Sequence, residues 1–139
     1  MITVQPVALE YVNMTWPLVE RYINDALTVD TLGESCMSVE HLRVKAVSGQ
    51  SLLCVAVDEN NKIHGALLVS FRNEPLHRVA CVVAIGGRHV SNHDTMAQLK
   101  AILKMNGATL IQAHCRPAIA RLWRRYDFKP TYTTMEHLL

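Results

Sequence analysis

No stretch of the chain approaches the ~18 consecutive apolar residues that a helical membrane span needs, so no membrane contact is expected. The N-terminus lacks a basic segment followed by an apolar one, which argues against a secretory leader and for a cytoplasmic protein. There is no Cys-x-x-Cys pair. Cys36, Cys54, Cys81 and Cys115 stand far apart, and Cys54 and Cys81 fall inside strand-like runs. Reduced, partly buried thiols are therefore expected rather than a disulfide framework or a zinc site. Charge is scarce too: 19% of the residues are charged and 50% are hydrophobic, a balance that excludes a disordered chain. What remains is a globular protein of 139 residues, read as one domain over 1–139 and long enough to bury roughly two thirds of its unfolded surface.

The charge that is present is uneven. Residues 1–40 hold six acidic residues against Arg21 alone, a net of −5. Residues 114–129 hold Arg116, Arg121, Arg124, Arg125 and Lys129 against Asp127, a net of +4. Such a bipolar chain suits a charged protein partner or a second copy of itself, and it equally suits two solvated faces of one small domain. The arginines are not interleaved with exposed aromatics, so nucleic acid is not the expected partner.

In chain order, Met1 to Ala8 reads as an edge strand, where Pro6 is tolerated. Pro17 reads as a helix start, followed by Leu18, Val19, Tyr22, Ile23, Ala26 and Leu27 with helical period. Ser38 is a plausible N-cap for a second helix, whose end is marked by Gly49. Ser51 to Val57, Ile63 to Phe71 and Arg78 to Ile85 are strand runs apolar on both faces, as in the middle of a covered sheet. Gly86-Gly87 ends the third run. Ser91 with Asp94 resembles a capping box for a helix whose buried face is Met96, Leu99, Ile102 and Leu103. Ala108 to Ala113 is a further strand, parallel to the one before it through a right-handed crossover. Pro117 starts a short helix with Ile119, Leu122, Trp123 and Tyr126 on one stripe, and Phe128 to Leu139 carries a final strand pattern.

This order, β-α-α-β-β-β-α-β-α-β, together with Leu122-Trp123-Arg124-Arg125-Tyr126-Asp127-Phe128 before the final strand, resembles the GNAT superfamily of acetyl-CoA-dependent N-acetyltransferases. There the corresponding segment commonly reads Asn-x-x-Ala-x-x-Leu-Tyr-x-x-x-Gly-Phe. The form found here, Arg-Pro-x-x-x-Arg-Leu-x-Arg-Arg-x-x-Phe from Arg116 to Phe128, is most similar to small, divergent GNAT-like proteins of tailed bacteriophages. The resemblance implies an α/β (α+β) three-layer sandwich, with a mixed central sheet of six to seven strands and helices on both faces.

The family's pyrophosphate loop, Arg/Gln-x-x-Gly-x-Gly/Ala, uses glycines and a helix N-terminus to bring backbone N–H groups to the phosphates. Here the equivalent stretch runs Gly86-Gly87-Arg88-His89-Val90-Ser91-Asn92-His93-Asp94, with the glycines first and a carboxylate in the helix's first turn. Trp123 stands where the family commonly has its proton-donating tyrosine, and no carboxylate lies between Arg78 and Ile85 to serve as a base. His77, His89 and His114 sit at strand ends where a titrating group would face the cleft. His89 and His93 have a metal-ligand spacing without a second cluster to complete it, so no metal is expected.

Two functions follow from the resemblance. In the first, the chain is a catalytically degenerate GNAT-like binding or structural module that needs no cofactor. It would serve as a virion, assembly or host-interaction component, acting on protein partners, on virion subunits or by self-association in the bacterial cytoplasm. In the second, it is an N-acetyltransferase using acetyl-CoA through an altered loop. Gly86, Gly87, Arg88 and Arg116 would then hold the pyrophosphate, and His114 or Tyr126 would move protons.

Overall fold

The computed structural model describes residues 1–27, 37–88, 90–115, 117–135, 137 and 139. Cys36, His89 and Arg116, each singled out above, lie outside the described residues. The elements run β1 (Thr3–Pro6), α1 (Leu9–Leu27), α2 (Val39–Val47), β2 (Ser51–Val57), β3 (Ile63–Asn73), β4 (Arg78–Gly87), α3 (His93–Met105), β5 (Leu110–Ala113) and α4 (Pro117–Trp123). A 3-10 turn over Arg124–Tyr126 continues α4.

The five strands lie in sequence order, antiparallel except for the β4–β5 pair. Helices α1 and α2 bury Val12, Trp16, Val19, Ile23, Leu42 and Ala46 against Leu53, Val55, Ala66 and Leu68 on one face. On the other face α3 and the α4 segment bury Met96, Leu99, Leu103, Trp123 and Tyr126 against Cys54, Leu67, Val69, Ala80 and Val82. This is the three-layer α+β sandwich that the resemblance implies.

Two local expectations need correction. The first helix begins at Leu9, not at Pro17, which lies inside it. The buried stripe Val12, Trp16, Val19, Ile23 runs straight through the proline. Burial of that stripe outweighs the single intrahelical hydrogen bond the proline removes. Helix α3 is capped by Asn92 rather than Ser91. The Asn92 side chain accepts from the Thr95 amide, and Thr95 Oγ1 accepts from the Asn92 amide.

The sheet has five strands among the described residues, not six to seven. The residues from Phe128 onward form no strand there, because nothing in the described chain pairs with them. Strand pattern without a hydrogen-bonding neighbour does not make a strand.

The β4 strand contains the irregularity that shapes the site. Its register with β3 passes from Leu68↔Ala84 to Val69↔Val82, leaving Val83 as an extra residue, a β-bulge. The consequence is visible in the packing. Val82 belongs to the α3–α4 core, whereas Val83 and Ala84 both face the α1–α2 core. The β4–β5 pairing stops at this same level, with Val82↔Ala113 its last pair, so among the described residues β4 continues to Gly87 with no strand on its β5 side.

Candidate functional site

Four of the residues singled out from sequence, Gly86, Gly87, Arg88 and Tyr126, lie at the open end of β4 and the start of α3. Gly86 and Gly87 close β4. Each is held to glycine by packing. A Cβ on Gly86 would stand 2.2 Å from the Tyr22 carbonyl oxygen in α1, and one on Gly87 would stand 2.4 Å from both Gly65 Cα and the His64 carbonyl oxygen. Gly87 also has φ +102, a backbone conformation that side-chain-bearing residues rarely adopt. These two glycines let the last turns of α1 press onto the sheet.

Beyond them the chain turns inward. The Arg88 amide donates to the His64 carbonyl at 2.9 Å while its side chain points to solvent. Val90 is buried against Gly65, where a Cβ would collide with it at 2.4 Å. Asn92 and Thr95 then satisfy each other's amides as a capping box, and Asp94 in the first turn accepts from the Gln98 side chain.

Tyr126 covers this entry. Its hydroxyl donates to the Ser91 carbonyl at 2.8 Å, its ring meets His93 edge-on at 4.9 Å, and only 7% of it is exposed. Lys100 fixes the same turn by donating to the Tyr126 carbonyl at 2.7 Å. Trp123 is buried beneath it, with its indole N–H lacking a partner among the described residues. It packs on Phe128 at 4.9 Å between ring centroids. Trp123 is therefore a core residue.

The histidines divide. His114 follows directly on Ala113 and is exposed near the level of the bulge. His77 lies before β4 at the opposite end of the sheet, bonded to Thr109 Oγ1 at 3.0 Å. It does not face the cleft, because the ten-residue strand between it and Gly87 spans about 30 Å. Among the described residues, no three His, Cys, Asp or Glu are grouped to hold a metal ion.

One hydrogen-bonded pair next to this surface left no trace in the sequence. His64 Nε2 donates to Asp58 Oδ2 at 2.8 Å across the β2–β3 turn, and the same carboxylate accepts from the Asn60 and Lys62 amides. The His64 hydrogen bond, followed by the Lys62 amide, lowers the Asp58 carboxyl to about 2. Six residues separate the two, and only the turn geometry brings them together.

The site can therefore present an exposed arginine and an unpaired strand edge, while its helix entry is filled by groups of this chain. Both loop glycines are in close contact with protein backbone, Gly86 with Tyr22 and Gly87 with His64 and Gly65.

No protein-family model matches the chain, and no curated protein sequence does. Solved structures do match along its length. A GCN5-related N-acetyltransferase from Ralstonia eutropha JMP134 superposes with a TM-score of 0.68 at 13% identity, over 99% of both chains. A Clostridium acetobutylicum protein described as a predicted acetyltransferase, solved with acetyl-CoA, gives 0.63 at 14% identity over 99% of this chain and 96% of its own. An aminoglycoside acetyltransferase from an uncultured soil metagenomic sample, solved with sisomicin, gives 0.70 at 13% identity over 99% and 96%. The likeness over the whole length thus makes this chain a GNAT-like α+β fold, the fold of the GCN5-related N-acetyltransferases.

Proposed function

We propose that this chain is a GNAT-fold binding or structural module that does not transfer acetyl groups. The observation that carries the reading is the closed entry to α3. Val90 sits in the Gly65 notch, Asn92 and Thr95 cap each other, and the buried Tyr126 hydroxyl is committed to the Ser91 carbonyl. Acyl transfer of this kind depends on donors held ready for the phosphates and the thioester carbonyl, and single donors of that sort are worth ~2–4 kcal/mol.

A protein partner suits the exposed Arg121, Arg124 and Arg125, for which no acidic partner lies within ion-pair distance among the described residues. The Arg116–Phe128 segment's resemblance to tailed-phage proteins makes a virion, assembly or host-interaction component the setting we favour.

The test is a melting titration with acetyl-CoA. A ligand present at a hundred times its Kd adds ~2.7 kcal/mol to folding stability. No shift at millimolar acetyl-CoA is the expected result. A clear shift that Arg88→Glu abolishes would overturn it.

A second reading, an acetyltransferase with an altered loop, is favoured by the unpaired β4 edge beyond the Val83 bulge. In it Gly86, Gly87, Arg88 and Arg116 would meet the pyrophosphate, and His114 or Tyr126 would move protons. Acetyl-CoA turnover lost in His114→Ala or Tyr126→Phe would support this reading over the first.

A further inference from the structure

We propose that the outer face of α1 is the interface of a two-fold symmetric dimer, in which Met14 packs on the partner's Leu18 and Glu10 pairs with the partner's Arg21. Helix α1 turns Val12, Trp16, Val19 and Ile23 toward the sheet and buries them. The side opposite such a stripe is ordinarily polar. Here it carries Tyr11, Met14 and Leu18 at i, i+3 and i+7, which are 54%, 70% and 61% exposed. Exposed apolar residues scattered singly are ordinary, whereas three in line along two turns of one helix mark a contact surface. Helix α2 packs on another side of α1, that of Asn13, whose Oδ1 accepts from Arg43 Nη1.

Two flanking lines give the stripe its partner. Glu10 and Arg21 are eleven residues apart, close to three full turns, so they share one line beside Met14. Tyr11 and the half-buried Tyr22 have the same separation and form the other flank. Glu10 and Arg21 are both exposed, and neither has an oppositely charged group within ion-pair distance among the described residues. Arg21 reaches the Tyr22 hydroxyl and ring instead.

The Glu10–Arg21 line runs from negative to positive along the helix, so it complements itself once the copy is reversed. A two-fold axis at the level of Trp16 runs the two α1 helices antiparallel and keeps each flank on its own side of the interface. Met14 then lies level with the partner's Leu18. Glu10 lies one residue, about 1.5 Å along the axis, from level with the partner's Arg21. Asp25, further along, falls past the start of the partner's helix. Every contact occurs twice, and the dimer closes. The occupant is a second copy because an unrelated partner would have to carry this same order of charges and apolar residues in reverse. The α1–α2 layer lies across the sheet from α3, so the proposal stands whether or not the α3 entry takes acetyl-CoA.

Sedimentation of the full chain from micromolar to millimolar concentration tests this. A concentration-dependent dimer is expected. Leu18→Glu should abolish it over that range. Glu10→Arg and Arg21→Glu each set like charges against one another at both ends of the interface and should weaken the dimer about tenfold. Both side chains are exposed, so the circular dichroism and melting temperature of these variants should stay close to the parent's. An equal mixture of Glu10→Arg and Arg21→Glu chains puts opposite charges at every contact and should dimerise at least as well as the parent. A monomer throughout would leave the stripe to an unrelated protein and overturn the proposal. A dimer indifferent to Leu18→Glu, or a mixture no more dimeric than its components, would overturn it equally.

Discussion

The α-carbon of Gly86 faces the carbonyl oxygen of Tyr22 so closely that a methyl group there would stand 2.2 Å from it. Helix α1 and strand β4 are therefore in backbone contact at the level where the strand leaves the sheet.

Gly86→Ala should accordingly destabilise the protein by about 3 kcal/mol, the upper end of ordinary overpacking, because the obstacle is backbone and cannot rotate away. Urea unfolding measures it. A variant as stable as the parent would mean that α1 does not seat on β4 as described.

Tyr126→Phe removes a hydroxyl that donates to the Ser91 carbonyl and should cost about 1 kcal/mol, the net value of one such bond. Trp123→Ala should cost about 3–5 kcal/mol, since the indole is fully enclosed. Because that indole N–H has no partner among the described residues, Trp123→Phe should cost much less than truncation. Thermal unfolding of the three variants gives the ranking directly.

Asp58 supplies a pH signature. Its carboxyl, normally near 3.8, is lowered to about 2 in the folded chain, chiefly by the His64 hydrogen bond. The unfolded chain therefore takes up this proton first as pH falls. The stabilisation is complete above about pH 4 and is lost as pH drops toward 2. Asp58→Asn should show a smaller fall in melting temperature between pH 5 and pH 2 than the parent does. Parallel curves would remove the Asp58–His64 bond from the account.

The thiols should be ranked by burial. Cys54 is wholly enclosed and its pKa is pushed up to about 12, whereas Cys81 and Cys115 are half-buried and raised less far. Alkylation follows the thiolate. Iodoacetamide at pH 8 should label Cys81 and Cys115 in the native protein and Cys54 only as the protein unfolds, read by mass spectrometry over time.

Much of the architecture was legible because local signals agreed with tertiary packing. Ser38 caps α2, Pro117 opens α4, Ser51–Val57 is a strand over the expected span, and β4 and β5 are parallel across α3. The errors came where a local rule met a longer-range one. Pro17 looked like a boundary, but the stripe from Val12 to Ile23 carries the helix past it. Phe128 to Leu139 looked like a strand by composition, and composition says nothing of whether an edge is within reach.

The site was half visible. Two glycines before a helix start suggest a phosphate loop to any reader of sequence, and only coordinates reveal that Tyr22, Gly65 and His64 already press against them. The Asp58–His64 pair was invisible because a six-residue separation is diagnostic of nothing until the turn is built.

The extra residue at Val83 has a consequence for how the chain tolerates length changes. Excising Val83 would leave Leu68↔Ala84 and Val69↔Val82 as neighbouring rungs of an unbroken ladder. Val82 and Ala84 would then alternate between the two faces as in a regular strand, and Gly86 would keep its rung opposite Ala66. What the chain would lose is the local bend and extra twist that a bulge adds at the point where β5 leaves β4.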